Sequence, residues 1–251
     1  MPNKRTFKNS PQFYKEKICL NVLAGSKENA ADICEATDGN VLIGLLSRDY
    51  QSNEEAVSAM REYAKVTGNR ISIGLGAGDP SQAKNVENIA GLVQPQHVNQ
   101  VFTNVGATRS LLGQESTIIN SLVSPSGKKG FVKVNTGAIS SELTPAIVPV
   151  ETAIGMIKDA GGNSLKYFPM NGLEKMEEYS VVAAKCAEQD FILEPTGGIG
   201  LDNLGEILQV ALREGVPKVI PHIYSSIIDK ETKLTKIEDV KKAMNIIEQI
   251  L

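Results

Sequence analysis

The sequence predicts an α/β protein folded as a single (β/α)8 (TIM) barrel over residues 1–251, with a β-hairpin inserted after the fifth strand. Three observations carry this. A chain of 251 residues is long enough for one such barrel. Eight short β-branched runs alternate with segments of helical period, the rhythm of a parallel sheet with crossover helices. No change of composition and no linker divides the chain, which favours one closed ring of strands over two smaller domains.

The predicted strands are 18–23, 41–46, 71–75, 97–102, 118–123, 164–168, 191–194 and 218–221. Between them, 53–66, 81–93, 150–159, 173–187, 202–213 and 237–251 place apolar residues three or four apart, the spacing of one helix face. Asp79-Pro80 and Asp202 stand where helices begin, and Gly68, Gly161 and Gly215 where they end. Ser124-Pro-Ser-Gly-Lys-Lys-Gly130 breaks the rhythm with turn residues and leads into Phe131-Val-Lys-Val134. This is the inserted hairpin, at the barrel end where insertions cover the mouth or meet a neighbouring subunit.

Composition excludes several classes of function. A net charge of -3 with both signs scattered leaves no basic field for nucleic acid, and 5% aromatic residues with no tryptophan provide no stacking platform. Cys19, Cys34 and Cys186 are widely spaced and unpaired in pattern, so reduced core thiols are expected rather than a disulfide frame or a zinc cage. Residues 1–7 contain no apolar segment of signal length, and nowhere do about 18 apolar residues run together. A cytoplasmic protein with no membrane partner is expected.

The chemistry begins with Ser164-Leu-Lys-Tyr-Phe-Pro-Met170. A lysine inside a short apolar run is costly to bury as an ammonium, and burial lowers its pKa. A neutral amine is what attacks a ketone to form a Schiff base, so Lys166 is the candidate nucleophile, with Lys133 as the alternative. About one βα unit downstream comes Glu194-Pro-Thr-Gly-Gly-Ile199, in which paired glycines let backbone N–H groups approach an anion. The loop after the eighth strand, His222-Ile-Tyr-Ser-Ser226, brings hydroxyls to the same place, and barrels commonly bind phosphate between these two loops.

Asn21, Asn99 and Asn120 sit near strand centres, as do Lys166 and Glu194. Helices cover the outer face of a parallel sheet, so these polar groups are expected to point into the barrel mouth. Each asparagine is equally accounted for by a buried backbone group in need of a partner. His97 and His222 are the only histidines, and carboxylates near strand ends are few, so no ready-made metal site is apparent.

These motifs resemble the 2-keto-3-deoxy-6-phosphogluconate aldolases. Leu165-Lys-Tyr-Phe-Pro169, Glu194-Pro-Thr-Gly-Gly198 and the serines beyond strand eight carry the likeness. Cys19-Leu-Asn-Val-Leu-Ala-Gly-Ser26, Gly74-Leu-Gly-Ala-Gly-Asp-Pro80, Pro95-Gln-His-Val-Asn-Gln-Val-Phe-Thr103 and Ile220-Pro-His-Ile-Tyr-Ser-Ser-Ile-Ile228 are similar to the branch linked to glucosaminate catabolism. The resemblance implies a class I aldolase acting on a small phosphorylated 2-keto acid without a cofactor. Lys166 would be the Schiff-base lysine, and Thr196, Gly197, Gly198 and Ser225 or Ser226 would grip phosphate.

The second predicted strand, Val41-Leu-Ile-Gly-Leu-Leu46, lacks the glutamate that transfers protons in the better-known members. Glu194 is the substitute expected, being next to the phosphate loop, with Glu151 as a second candidate. Arg48, Asn21 and His222 are the remaining substrate-binding candidates, Arg48 because a guanidinium meets a carboxylate with two parallel donors. A metal-dependent 2-keto acid aldolase and a non-catalytic phosphosugar-binding barrel are the rival expectations. A homo-oligomer is expected, the apolar helix 237–251 being compatible with an interface.

Overall fold

Short runs of β-branched residues cannot bury themselves alone, and here they assemble side by side. The structure, a computed structural model, describes residues 10–251. Residues 1–7 therefore lie outside what is described. The chain runs β1 (Leu20–Leu23), α1 (Lys27–Ala36), β2 (Val41–Leu46), α2 (Asn53–Thr67), β3 (Ile71–Gly74), α3 (Ala83–Val93), β4 (His97–Val101), α4 (Val105–Leu112) and β5 (Ile118–Pro125). It continues through β6 (Phe131–Lys133), β7 (Ile147–Pro149), α5 (Val150–Asp159), β8 (Ser164–Tyr167), α6 (Met176–Glu188), β9 (Ile192–Pro195), α7 (Leu204–Arg213) and α8 (Ile237–Ile250).

β1, β2, β3, β4, β5, β8 and β9 pair in that order and all in parallel. The sheet curls. Its two edges approach the same segment, for Val219 bridges both Leu193 and Ile18, and His222 bridges both Thr196 and Asn21. The predicted strand 218–221 is thus present as isolated bridges rather than a continuous ladder. β5 runs past its parallel neighbours, and Ser124 and Pro125 pair antiparallel with β6, which pairs antiparallel with β7.

Helices cover the outer face. Ile33, Met60, Ile89, Ile154, Val182 and Ile207, one from each of six helices, join a single apolar cluster with outward residues of the strands such as Ile43, Ile73, Val98 and Leu165. Each such side chain removed from water contributes about 1.5–3 kcal/mol. Inside the curl a separate apolar group of Phe13, Cys19, Leu42 and Ile220 fills the end from which the strands start.

Two helices have no counterpart among the predicted ones. α1 packs mostly small or polar residues inward (Asn29, Ala30, Ile33) and is set by Ser26, whose hydroxyl accepts from Asn29 N. α4 spans 8 residues and buries Thr108 and Arg109 beside Val105 and Leu112, so its inner face carries little hydrophobic signal. Arg109 donates to the carbonyls of Gly161, Gln114 and Thr117 and to Asn163 Oδ1, which links three connections at that end of the sheet. Gly68 caps α2 in the left-handed conformation as expected, whereas α7 begins two residues after Asp202.

Candidate active site

Strand residues alternate between faces, so every second residue of each strand points into the curl. Above the apolar plug this places a fully buried polar layer: Asn21, Ser72, His97, Asn120, Ser164, Glu194 and His222. One step nearer the C-terminal ends comes an open cavity, whose walls include Leu46, Gly74, Asn99, Leu122, Lys166, Phe168, Thr196 and Tyr224. The loop Gly76-Ala-Gly78 after β3 forms its rim. The Arg48 side chain lies across Gly76 and leaves no room there for a Cβ.

Lys166 projects from β8 into this cavity. Its Nζ donates to Asn99 Oδ1 at 2.9 Å and lies 3.5 Å from His222 Nδ1. Burial lowers its pKa to about 8, against a smaller opposing pull from Glu194. The amine is therefore neutral in a useful fraction of molecules near neutral pH, and only that form is a nucleophile.

Glu194 is the register partner of Lys166 on the next strand, yet the two form no ion pair among the described residues. Its carboxylate is occupied elsewhere. His97 Nε2 and Ser164 Oγ lie 2.9 and 2.5 Å from Oε1, and His222 Nε2 and Asn120 Nδ2 lie 2.8 and 2.6 Å from Oε2. Burial alone would raise its pKa, but the contacts with His97 and His222 reverse this and hold it well below the usual carboxylate range.

The hydrogen positions follow from counting donors. Ser72 Oγ accepts from both Asn21 Nδ2 and Asn99 Nδ2, so its own hydrogen goes to His97 Nδ1. His97 therefore carries its proton on Nε2 and donates it to Glu194. An ionised Glu194 only accepts, so His222 likewise donates from Nε2 and presents a lone pair at Nδ1. Tyr224 Oη lies 3.0 Å from that Nδ1 and 3.1 Å from Asn21 Oδ1. Burial, aided by the Lys166 charge, lowers the His222 pKa to about 3, so the ring is neutral.

Beside the cavity, the 196–200 loop turns its carbonyls backward. Met170 N donates to Thr196 O, Gly172 N to Gly197 O, Asn203 Nδ2 to Gly198 O and Ser226 Oγ to Ile199 O. Among the described residues the amides of Gly197, Gly198 and Ile199 have no acceptor. Gly197 and Gly198 adopt φ of 101° and 70°, which other residues resist, and a Cβ on Gly198 would stand 2.5 Å from Gly172 N. Consecutive N–H groups without a protein acceptor are the kind of donor that an anion can take up.

The structure brings some expected residues to the cavity and keeps others behind it. Lys166 and Thr196 line it, the glycine pair adjoins it, and exposed Arg48 overhangs the mouth. Glu194 does not line it, and its four donors leave no free acceptor position, so the expectation that it contacts substrate as a base is corrected. Asn21 and His222 are also behind the wall, committed to Ser72 and Tyr224 and to Glu194 respectively, and not in contact with the cavity. Ser226 spends its hydroxyl on the loop carbonyl, whereas exposed Ser225 keeps its own. Among the described residues no three His, Cys, Asp or Glu side chains gather as a metal-holding group. His97 and His222 meet at Glu194, but each donates to a different oxygen.

Tyr224, Ser72 and Ser164 were missed as site residues. Tyr224 stands two positions after His222, and a period of two on a strand end was the available signal for a shared face. The serines gave none, because buried serine more often completes a backbone hydrogen bond.

A family model described as KDGP aldolase matches residues 14–231 of the chain. A protein named 2-dehydro-3-deoxy-phosphogluconate aldolase from Salmonella typhimurium (strain 14028s / SGSC 2262) is 44% identical over 244 residues, 95% of this chain and 98% of that protein. Among solved structures, one titled "Native KDPGal structure" superposes with a TM-score of 0.56 at 11% identity, covering 96% of this chain and 98% of the other. TrpF from Jonesia denitrificans gives 0.56 at 9% identity, covering 93% and 98%. At such identities these two establish a shared curled α/β fold and nothing more.

Proposed function

The chain belongs to the KDGP aldolase family, and from that premise we propose that it is a class I aldolase cleaving 2-keto-3-deoxy-6-phosphogluconate to pyruvate and glyceraldehyde 3-phosphate. One observation carries the assignment of the nucleophile: the Lys166 amine faces an open cavity, bound to a neutral amide and desolvated enough to lose its proton near pH 8.

Neutral Lys166 adds to the C2 ketone, and loss of water from the carbinolamine gives an iminium. The C4 hydroxyl gives up its proton, the C3–C4 electrons flow into the iminium, and the aldehyde departs from an enamine. Protonation at C3 and hydrolysis then release pyruvate and restore the amine. The iminium polarises the bond that a Lewis acid would otherwise polarise, so no cofactor is invoked. Gly197, Gly198, Thr196 and Ser225 would hold the phosphate, the free amides supporting this, and Arg48 the substrate carboxylate.

Glu194 orients the two histidines through its contacts with their Nε2 atoms. The bridges at Val219 and His222 support a barrel closed by an eighth strand, as one domain, with the β6–β7 pair inserted after its fifth strand. No helix among the described residues is long and apolar enough to cross a membrane, and a charged phosphorylated substrate, which does not cross a bilayer unaided, supports a cytoplasmic site of action.

The test is reductive trapping. Pyruvate with borohydride is expected to leave a stable adduct on Lys166, in strong chelator as without it, and Lys166→Ala is expected neither to label nor to cleave substrate. Label on the Ala variant would move the nucleophile to another lysine such as Lys133, and activity abolished by chelator would favour the metal-dependent reaction.

A further inference from the structure

Removing the proton from the C4 hydroxyl needs a group that touches the substrate, and the cavity wall offers few. Of the described side chains lining it, only Lys166 and Tyr224 are ionisable. Among the described residues no carboxylate reaches it. Lys166 is consumed in the Schiff base and Thr196 carries only an aliphatic hydroxyl, which leaves the Tyr224 phenol as the remaining ionisable group.

We propose that Tyr224 carries the proton off the substrate C4 hydroxyl and later delivers it to C3, with His222 Nδ1 as the acceptor behind it and Glu194 as the positioning residue. This rests on the Schiff-base reading above. It explains how a chain with no glutamate on β2 supplies proton transfer.

The geometry supports each step. Tyr224 Oη is 3.0 Å from His222 Nδ1, the same Nδ1 is 3.5 Å from Lys166 Nζ, and Tyr224 and Lys166 line one cavity. His222 offers a lone pair at Nδ1 because its Nε2 proton is fixed on Glu194 at 2.8 Å. Asn21 Oδ1, 3.1 Å from Oη, gives the hydroxyl hydrogen a second resting acceptor. Burial first, and Glu194 second, push the Tyr224 pKa far up, so the phenol stays protonated and acts as a relay rather than as a phenolate base.

The transfer balances. The C4 O–H proton moves to Tyr224 Oη as the Tyr224 proton moves to His222 Nδ1, and the electrons of the broken O–H bond form the aldehyde C=O. The resulting imidazolium is stabilised by ionised Glu194 across the Nε2–Oε2 contact. Once the aldehyde has left, both protons shift back and C3 of the enamine receives the one on Oη.

The experiment uses Tyr224→Phe, which removes only the hydroxyl, with three readouts. Borohydride trapping with pyruvate is expected to reach the wild-type extent, which also reports a folded site. Turnover of the phosphorylated substrate is expected to fall by about 10²-fold or more, the usual contribution of a positioned acid–base group. Exchange of the pyruvate methyl protons with deuterated water, which needs proton transfer but no C–C cleavage, is expected to fall in parallel.

Turnover within about twofold of wild type would overturn the relay, as would loss of trapping together with turnover, since the hydroxyl would then serve Schiff-base formation or binding. Wild-type protein that fails to trap pyruvate would instead overturn the aldolase reading itself.

Discussion

Lys166 Nζ donates to Asn99 Oδ1 at 2.9 Å, and that acceptor is an amide rather than a carboxylate. Glu194, the residue beside Lys166 in register, directs its charge to two histidines, a serine and an asparagine. The lysine thus has a partner that orients it without holding its proton.

Lys166→Met is expected to stabilise the protein at pH 7, by about 1–3 kcal/mol, because methionine fills similar space without a buried charge. The folded pKa of Lys166 is lowered from 10.5 to about 8, so between those values the unfolded chain binds more protons than the native one. Wild-type stability therefore gains with pH across that window relative to the variant, and the gap closes toward pH 10.5. Urea denaturation at pH 7 and pH 10 measures it. A variant less stable than wild type at pH 7 would contradict a desolvated amine. The rate of pyruvate trapping should likewise climb with pH and level off above about 8.

Glu194→Gln places an amide NH2 against groups that all donate. The expected loss is about 2–4 kcal/mol at pH 7, with turnover reduced while pyruvate trapping persists in the folded fraction. The Glu194 pKa is depressed in the native state, so its contribution is complete above the usual value of 4.5 and disappears as pH falls toward the folded value. Thermal unfolding at pH 7 and pH 3 should show the wild type and the variant converging in acid. Equal stability at pH 7 would mean that the four contacts are not made by an ionised carboxylate.

Gly198→Ala forces a side chain into a left-handed conformation 2.5 Å from Gly172 N. A loss of about 1–3 kcal/mol is expected, along with a KM for the phosphorylated substrate raised about tenfold or more as the amides turn away. Trapping of pyruvate, which has no phosphate, should be little changed. An unaltered KM would place the phosphate elsewhere.

Arg48→Gln tests the overhanging guanidinium, which has no ion-pair partner among the described residues. KM is expected to rise about tenfold, the scale of a charge-assisted hydrogen bond, with kcat within about threefold and stability within about 0.5 kcal/mol. Steady-state kinetics and a melting curve decide it. An unchanged KM would assign the substrate carboxylate to another group.

The sequence by itself determined the order of strands, the lysine in an apolar run and the glycine pair after the seventh strand, because period, burial cost and left-handed turns are local properties of a few neighbouring residues. The same locality made Glu194 look like a base, since it immediately precedes the anion loop. Tertiary structure alone decided that His97, 97 residues away, and Asn120, 74 away, fill its oxygens, and that Tyr224 instead of a carboxylate reaches the cavity. The curl of the sheet sets those meetings. No single strand's pattern carries the angle at which a distant strand will face it.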